Sequence, residues 1–173
     1  MEFDVVELPA LDPPAEGEQA PEFERPLVTA EYWEDVALSE LTAEGPVLLL
    51  FHPMDGAFPA TYTWNEIRDR GLEGRPTGDG ALQVVGVSIS SPYEHKTLIR
   101  ERGIDSRLFS DPGAGVAELY GVDWELDGMA GVREPVPAAF LIDGERVVRY
   151  AWTADEWPDF PPYDELEAAV EEL

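Results

Sequence analysis

The chain has 173 residues, 44% of them hydrophobic, and a formal charge of −26 that sets 37 acidic residues against ten arginines and one lysine, Lys96. That length suits one domain with a real core, and the charge excludes nucleic acid as a partner, because no window supplies the basic patch that phosphates require. The absence of cysteine excludes disulfides, thiolate metal sites and any thiol chemistry by this chain.

In chain order, residues 1–16 carry Pro13 and Pro14 among acids with little periodicity, and are expected to form a flexible acidic arm ahead of a domain over residues 17–173. EFERPLVTAEYWEDVAL reads as an early extended pair, and SELTAEGP as a short helical turn ended by Gly45 and Pro46. VLLLF, Val47 to Phe51, is a continuous apolar run and predicts a strand buried on both faces. From Phe58 the spacing becomes helical, with Ala60, Trp64 and Ile67 on one face and Pro59 suited to the first turn. A long loop rich in glycine follows from Gly71 to Gly80, and LQVVGVSIS predicts a second buried strand. SPYE is a helix start: Ser91 caps, Pro92 suits the first turn and Glu94 completes a capping box. That helix runs to Gly103, a C-terminal cap. RLFS reads as a short strand, SDPGAGVAELYGV as a turn into a short helix, and AAFLIDGERVVRYAW as a hairpin through Asp143 and Gly144. YDELEAAVEEL closes the chain as an amphipathic acidic helix. Strands alternating with helices, then a hairpin and a last helix, indicate an α/β domain with a mixed central sheet.

Several local patterns carry no chemistry. GVSIS, Gly86 to Ser90, lacks the final glycine of a nucleophile elbow and lies inside a strand. GAGVAE, Gly113 to Glu118, lacks the third glycine of a dinucleotide fingerprint and follows SDP, so it reads as the start of a helix. His52 and His95 are the only histidines, neither set beside a second ligand in a zinc spacing, and no metal or cofactor is expected. His52 and Met54 read as packing at a strand end. The five tryptophans belong to core or sheet faces, since a base-stacking platform needs a basic groove. The N-terminus has neither the basic start nor the apolar stretch of a signal peptide, and no apolar run reaches the ~20 residues of a membrane span, so a soluble cytoplasmic protein is expected.

Taken in this order, the elements resemble the peroxiredoxins of the alkyl hydroperoxide reductase and thiol-specific antioxidant type. GEQAPEFERPLV resembles that family's G-x-x-A-P-x-F opening, and VALSEL its L-S-x-L turn. VVGVSISSPYEHKTLIRERGIDSRLFSDPGAGVAELYGV is similar to the block V-x-G-V-S-x-D-S…H-x-x-F…SD-x-x-G-x-V-A-x-x-Y-G-V, and PAAFLIDGERVVRYAW to the closing hairpin. The resemblance implies a thioredoxin-like three-layer sandwich, a mixed central β-sheet flanked by helices. It also implies a peroxide site with the signature P-x-x-x-T-x-x-C at a strand-to-helix turn. Counting from Pro53 puts Ala57 at the threonine and Ala60 at the reactive cysteine, while the family's later arginine falls on Pro137. Arg133 lies four residues earlier and reaches the site only by a different path.

In the family the thiolate attacks the peroxide oxygen, the hydroxyl orients it and the arginine stabilises the developing charge. Alanine and proline do none of this, so the family mechanism is excluded for this sequence. The expected function is that of a non-catalytic scaffold, binding itself as a homodimer or a protein partner through the active-site face or a sheet edge, as family members do. The alternative is a genuine antioxidant oxidoreductase whose catalytic cysteine has been replaced by Ala60; the further changes at Ala57 and Pro137 favour the first. A third use, an anion held by the N–H groups of the helix start, is opposed by the negative field.

The acids are spread over every segment rather than gathered in a tail, which suits a protein solvated at high salt. At ~1 M salt the screening length falls to ~3 Å and self-repulsion with it. Far-UV circular dichroism is therefore expected to show loss of structure as salt falls from ~1 M to ~0.05 M; a fold fully retained at low salt would remove the halophilic reading.

Overall fold

Val47 to Phe51 are all buried, and the rest of the domain is arranged around them. The computed structural model describes residues 4–173. In chain order its elements are β1 (Val6–Glu7), β2 (Glu24–Val28), β3 (Trp33–Ala37), α1 (Leu38–Thr42), β4 (Val47–Phe51), α2 (Phe58–Arg70), β5 (Pro76–Thr77), β6 (Gly80–Ala81) and β7 (Gln83–Ser88). There follow α3 (Pro92–Arg102), β8 (Arg107–Ser110), α4 (Gly115–Leu119), β9 (Asp123–Trp124), β10 (Glu134–Pro135), β11 (Ala138–Ile142), β12 (Val148–Thr153), β13 (Glu156–Trp157) and α5 (Tyr163–Glu171).

The central sheet has seven strands in the order β12-β11-β4-β7-β8-β2-β3. β4, β7 and β8 run parallel, and the flanking pairs are antiparallel, so the sheet is mixed as expected. Successive side chains of β4 point to opposite faces. Val47, Leu49 and Phe51 join the core under α1 and α4, whereas Leu48 and Leu50 join Trp64, Ile67, Leu98 and Leu166 from α2, α3 and α5. Two such cores make the three layers of the thioredoxin-like sandwich. Among the described residues no helix is long and apolar enough to cross a membrane.

The local signals act as their chemistry dictates. Ser91 Oγ accepts from the Glu94 N–H at 3.3 Å and Glu94 Oε1 accepts from the Ser91 N–H at 3.0 Å, a reciprocal cap for α3. Asp111, nearly fully buried, accepts the Val116 and Ala117 N–H groups and also Arg25 Nε at 3.0 Å, which accounts for SDPG as a structural turn. Phe23 packs edge-on against Phe109 and Tyr120, whose hydroxyl donates to the Pro21 carbonyl at 2.8 Å. The A-P-x-F opening is thereby tied to the Y-G-V end of the block.

Two expectations need correction. Residues 1–3 lie outside the described residues, but from Asp4 the expected arm is laid on the domain. β1 pairs with β13, the Leu8 N–H donates to the Asp155 carbonyl at 2.9 Å, and Leu8 and Leu11 pack on the core. The chain passes so close at Asp12 that a Cβ on Gly121, which has φ +66°, would overlap the Asp12 carbonyl. The loop after α2 holds a small hairpin, β5–β6. The β11–β12 hairpin forms through Asp143 and Gly144 as expected, with Arg146 at φ 60° and the Asp143 carboxylate accepting the Glu145 and Val147 N–H groups.

Gly86 in β7 is a close-approach position. A Cβ there would lie 2.5 Å from Trp64 Cζ2, 2.6 Å from Leu108 and 3.1 Å from His52. The Gly86→Ala variant is expected to lose about 1–3 kcal/mol of stability, read as a lower urea midpoint with an unchanged slope; an unchanged midpoint would show that the layer can relax.

Candidate functional site

At the end of β4 the chain leaves the sheet through residues 52–57 and starts α2 at Phe58. Ala57 is the N-cap residue, extended at φ −76° and ψ 140°, and has no side-chain oxygen to bond the first turn. The Ala60 and Thr61 N–H groups turn back to the Ala57 carbonyl at 3.1 and 3.4 Å. Ala60 is 0% exposed, and Pro53 and Pro59 are buried beside it in the chain.

Ala138 pairs with Phe51 across β4 and β11, so Pro137, also buried, lies at the same end of the sheet as the turn. Pro53, Ala57, Ala60 and Pro137 are thus brought to one region. Arg133 is engaged elsewhere: its exposed side chain is held by Asp123, Nε to Oδ2 at 2.7 Å.

What the turn does hold is a buried polar network. Asp55 Oδ1 lies 3.1 Å from His52 Nε2, Asp55 Oδ2 lies 2.7 Å from His95 Nδ1, and the Asp55 N–H donates to Ser90 Oγ at 2.9 Å. Trp64 Nε1, a donor only, meets His52 Nδ1 at 3.2 Å. His52 therefore accepts at Nδ1, carries its proton on Nε2 and donates to Asp55. His95 Nε2 faces the Phe109 carbonyl at 3.0 Å and must donate to it, so a single proton joins His95 Nδ1 to Asp55. Burial would raise the Asp55 carboxyl, but hydrogen bonds from both imidazoles outweigh it and hold the group well below the usual carboxylate range. Burial lowers His52, with Asp55 opposing in part.

These three residues correct the expectation that neither histidine has a ligand partner nearby. Asp55 stands three residues from His52, and the turn folds it back under both rings, with one ligand atom from each residue within 4.8 Å of the others. A metal there would need the His52 Nε2 lone pair and hence a proton on Nδ1, opposed head-on by the Trp64 N–H. The donor set suits the hydrogen-bonded network and does not fit a metal ion.

Glu134 supports the other side of the turn. It is 0% exposed, accepts the Met54 N–H at 3.2 Å through Oε2, and leaves Oε1 without a donor. Burial, and the acceptor carboxyl of Asp127 facing it, push Glu134 up to about 8 from its ordinary 4.5, with the Met54 N–H pulling the other way. Two carboxyls in contact hold together only if a proton lies between them. Nothing in the sequence distinguishes Glu134 among 37 acids.

Comparison with known proteins follows the same lines. Residues 17–151 match the AhpC/TSA family. The chloroplastic 2-Cys peroxiredoxin BAS1 of Spinacia oleracea is 28% identical over 153 residues, covering 84% of this chain and 55% of the relative. The selenocysteine-containing peroxiredoxin PrxU of Peptoclostridium acidaminophilum is 29% identical over 140 residues, covering 77% and 64%. The chain thus spans little more than half the length of the first of these. Among solved structures, peroxidoxin BcpB from Mycobacterium tuberculosis superposes with a TM-score of 0.70 at 24% identity over 90% of this chain and 93% of the other. The reduced 2-Cys peroxiredoxin of Plasmodium vivax gives 0.72 at 20% identity over 89% and 93%. At those identities the structures establish the fold alone.

The Glu134 carboxyl binds its proton more tightly in the folded chain than in the unfolded one. Its contribution is complete below an ordinary pKa of 4.5 and is lost as pH rises through about 8. In Glu134→Gln the amide keeps the Met54 bond and donates to Asp127 at any pH. Denaturant unfolding at fixed salt is expected to show the parent losing on the order of 2 kcal/mol between about pH 5.5 and about pH 8.5, and the variant losing much less. Equal losses in both would assign the pH effect to other groups.

Proposed function

The chain belongs to the AhpC/TSA family, and from that premise we propose that it is a member in which binding has replaced peroxide chemistry. The observation that carries this reading is Ala60: at the place of the family's reactive cysteine stands a fully buried methyl group, in a chain without cysteine. Ala57 and Pro137 remove the hydroxyl and the guanidinium that would serve such a thiol, and Arg133 is engaged by Asp123. The turn itself is nonetheless fully braced by Asp55 and Glu134, which suits a scaffold kept for its surface. The partners proposed are a second copy or another protein, met through the face around this turn or through an outer strand, β3 or β12. The setting proposed is a cytoplasm of high salt, which the spread of acidic residues supports.

A second reading is that of a peroxide reductase in which Ala60 stands for a natural cysteine, and the intact hydrogen-bonded network under the turn favours it. The two readings differ in what a restored thiol does. A thiol at position 60 would be buried, and Pro137 stands where the family's arginine would favour the thiolate. Ala60→Cys is therefore expected to consume hydrogen peroxide, with dithiothreitol supplied, no faster than dithiothreitol alone. Sustained turnover above that background would overturn the binding reading and establish the second.

A further inference from the structure

Along the outer side of α2 a groove of about 490 Å³ opens next to the turn, walled by aromatic rings from α2 and from the segment before α5. Phe58, Tyr62 and Phe160 pack into one surface, with ring centroids 5.9, 6.5 and 6.3 Å apart, and Tyr62 is 59% exposed. The charged groups in the lining are the carboxylates of Glu66 and Asp69, each of which already bonds one guanidinium, Arg70 at 2.7 Å and Arg68 at 2.9 Å, and keeps further lone pairs to accept with. Asn65, in the α2 wall, has a covered Oδ1 with no donor.

The protein already uses the chemistry that such a groove calls for. Arg70 lies over the Tyr163 ring at 5.2 Å and is shared by Glu66, Asp164 and Glu167 at 2.7, 2.8 and 3.1 Å. Carboxylates still outnumber guanidiniums at this corner: Glu66, Asp69, Asp164, Glu165 and Glu167 stand against Arg68, Arg70 and Arg75. Aromatic faces with acceptors beside them suit a planar cation that stacks and donates at once, which is the guanidinium rather than the compact, strongly hydrated ammonium of lysine.

We infer that this groove receives an arginine side chain presented by a basic partner protein. The inference rests on the binding reading above and gives that partner a chemistry. A second copy is the poorer donor: seven of its ten arginines, Arg25, Arg68, Arg70, Arg75, Arg133, Arg146 and Arg149, are already paired with carboxylates, and of Arg100, Arg102 and Arg107 the first and last are hydrogen-bonded to Ala30 and Gln83. A basic partner meets a surface on which carboxylates outnumber guanidiniums, a complementarity that acts at contact distance and so persists at high salt.

The test uses the full chain, labelled with ¹⁵N, and Nα-acetyl-arginine amide as the probe, with the citrulline counterpart as a neutral control of similar shape. Saturable amide shifts are expected for residues 58–69 and 158–163 with the arginine probe and not with citrulline. Affinity should fall about fivefold in Phe160→Ala and again in Tyr62→Ala, the loss of one stacking contact each. Three results would overturn the inference: shifts scattered over the acidic surface, equal shifts with citrulline, or affinity unchanged in both variants. Concentration-dependent broadening over the same residues without probe would also overturn it, by assigning the groove to a second copy. Failure here with an inert Ala60→Cys leaves the binding reading standing, whereas peroxide turnover by that variant removes it whatever the groove binds.

Discussion

A carboxylate taken out of water must be given donors, and the way Asp55 receives them organises this end of the molecule. His52 comes from the end of β4, His95 from α3, Ser90 from the segment after β7, and each bonds the Asp55 side chain or backbone. Trp64 of α2 fixes the tautomer of His52, and the Phe109 carbonyl of β8 fixes the direction of His95. Three strands and two helices are thus tied to one buried anion. Removing any single partner would leave a buried polar group unpaired, at a cost larger than the bond itself is worth. Gly86 belongs to the same arrangement, since only a missing side chain lets Trp64 and His52 lie against β7.

This explains how the turn between β4 and α2 is held in a chain without cysteine. None of the groups that hold residues 52–57 in place depends on a thiol at position 60. Asp55 anchors one side, and Glu134 anchors the other through the Met54 N–H. The apolar side of α2, with Ala60, Trp64 and Ile67 buried, needs only a small residue at its first turn, and alanine supplies it. The absence of a thiol and the persistence of the fold are compatible here because none of these supports involves position 60 through anything but its small size.

Much of the architecture was legible because it rests on local rules. VLLLF has the continuous hydrophobicity of a doubly covered strand, SPYE carries its own cap, and FPATYTWNEIRDR shows the helical period. The positions expected to mark the degenerate site, Pro53, Ala57, Ala60 and Pro137, follow from motif spacing, and the register of β4 with β11 gathers them. What escaped depends on closure over long distances. Asp55 and His95 are 40 residues apart, and Glu134 meets Met54 across 80. In a chain with so many acids, a carboxylate that will be buried looks no different from one that will be solvated. Arg133 misled for the complementary reason: its partner Asp123 is ten residues away and is aligned by a hairpin too short to show a period. The early segment had no periodicity because β1 has only two residues and borrows its partner from the other end of the chain.

That last pairing has a mechanical side. β1 lies against Glu156–Trp157, and Pro158, the next residue, begins the wall of the aromatic groove that Phe160 completes. The opening of the chain is therefore a backing strip for the wall that its far end adds to a surface begun by α2. Whatever lifts residues 6–8, whether trimming, a fused tag or a neighbour that competes for the strand, also loosens the frame in which those rings are set.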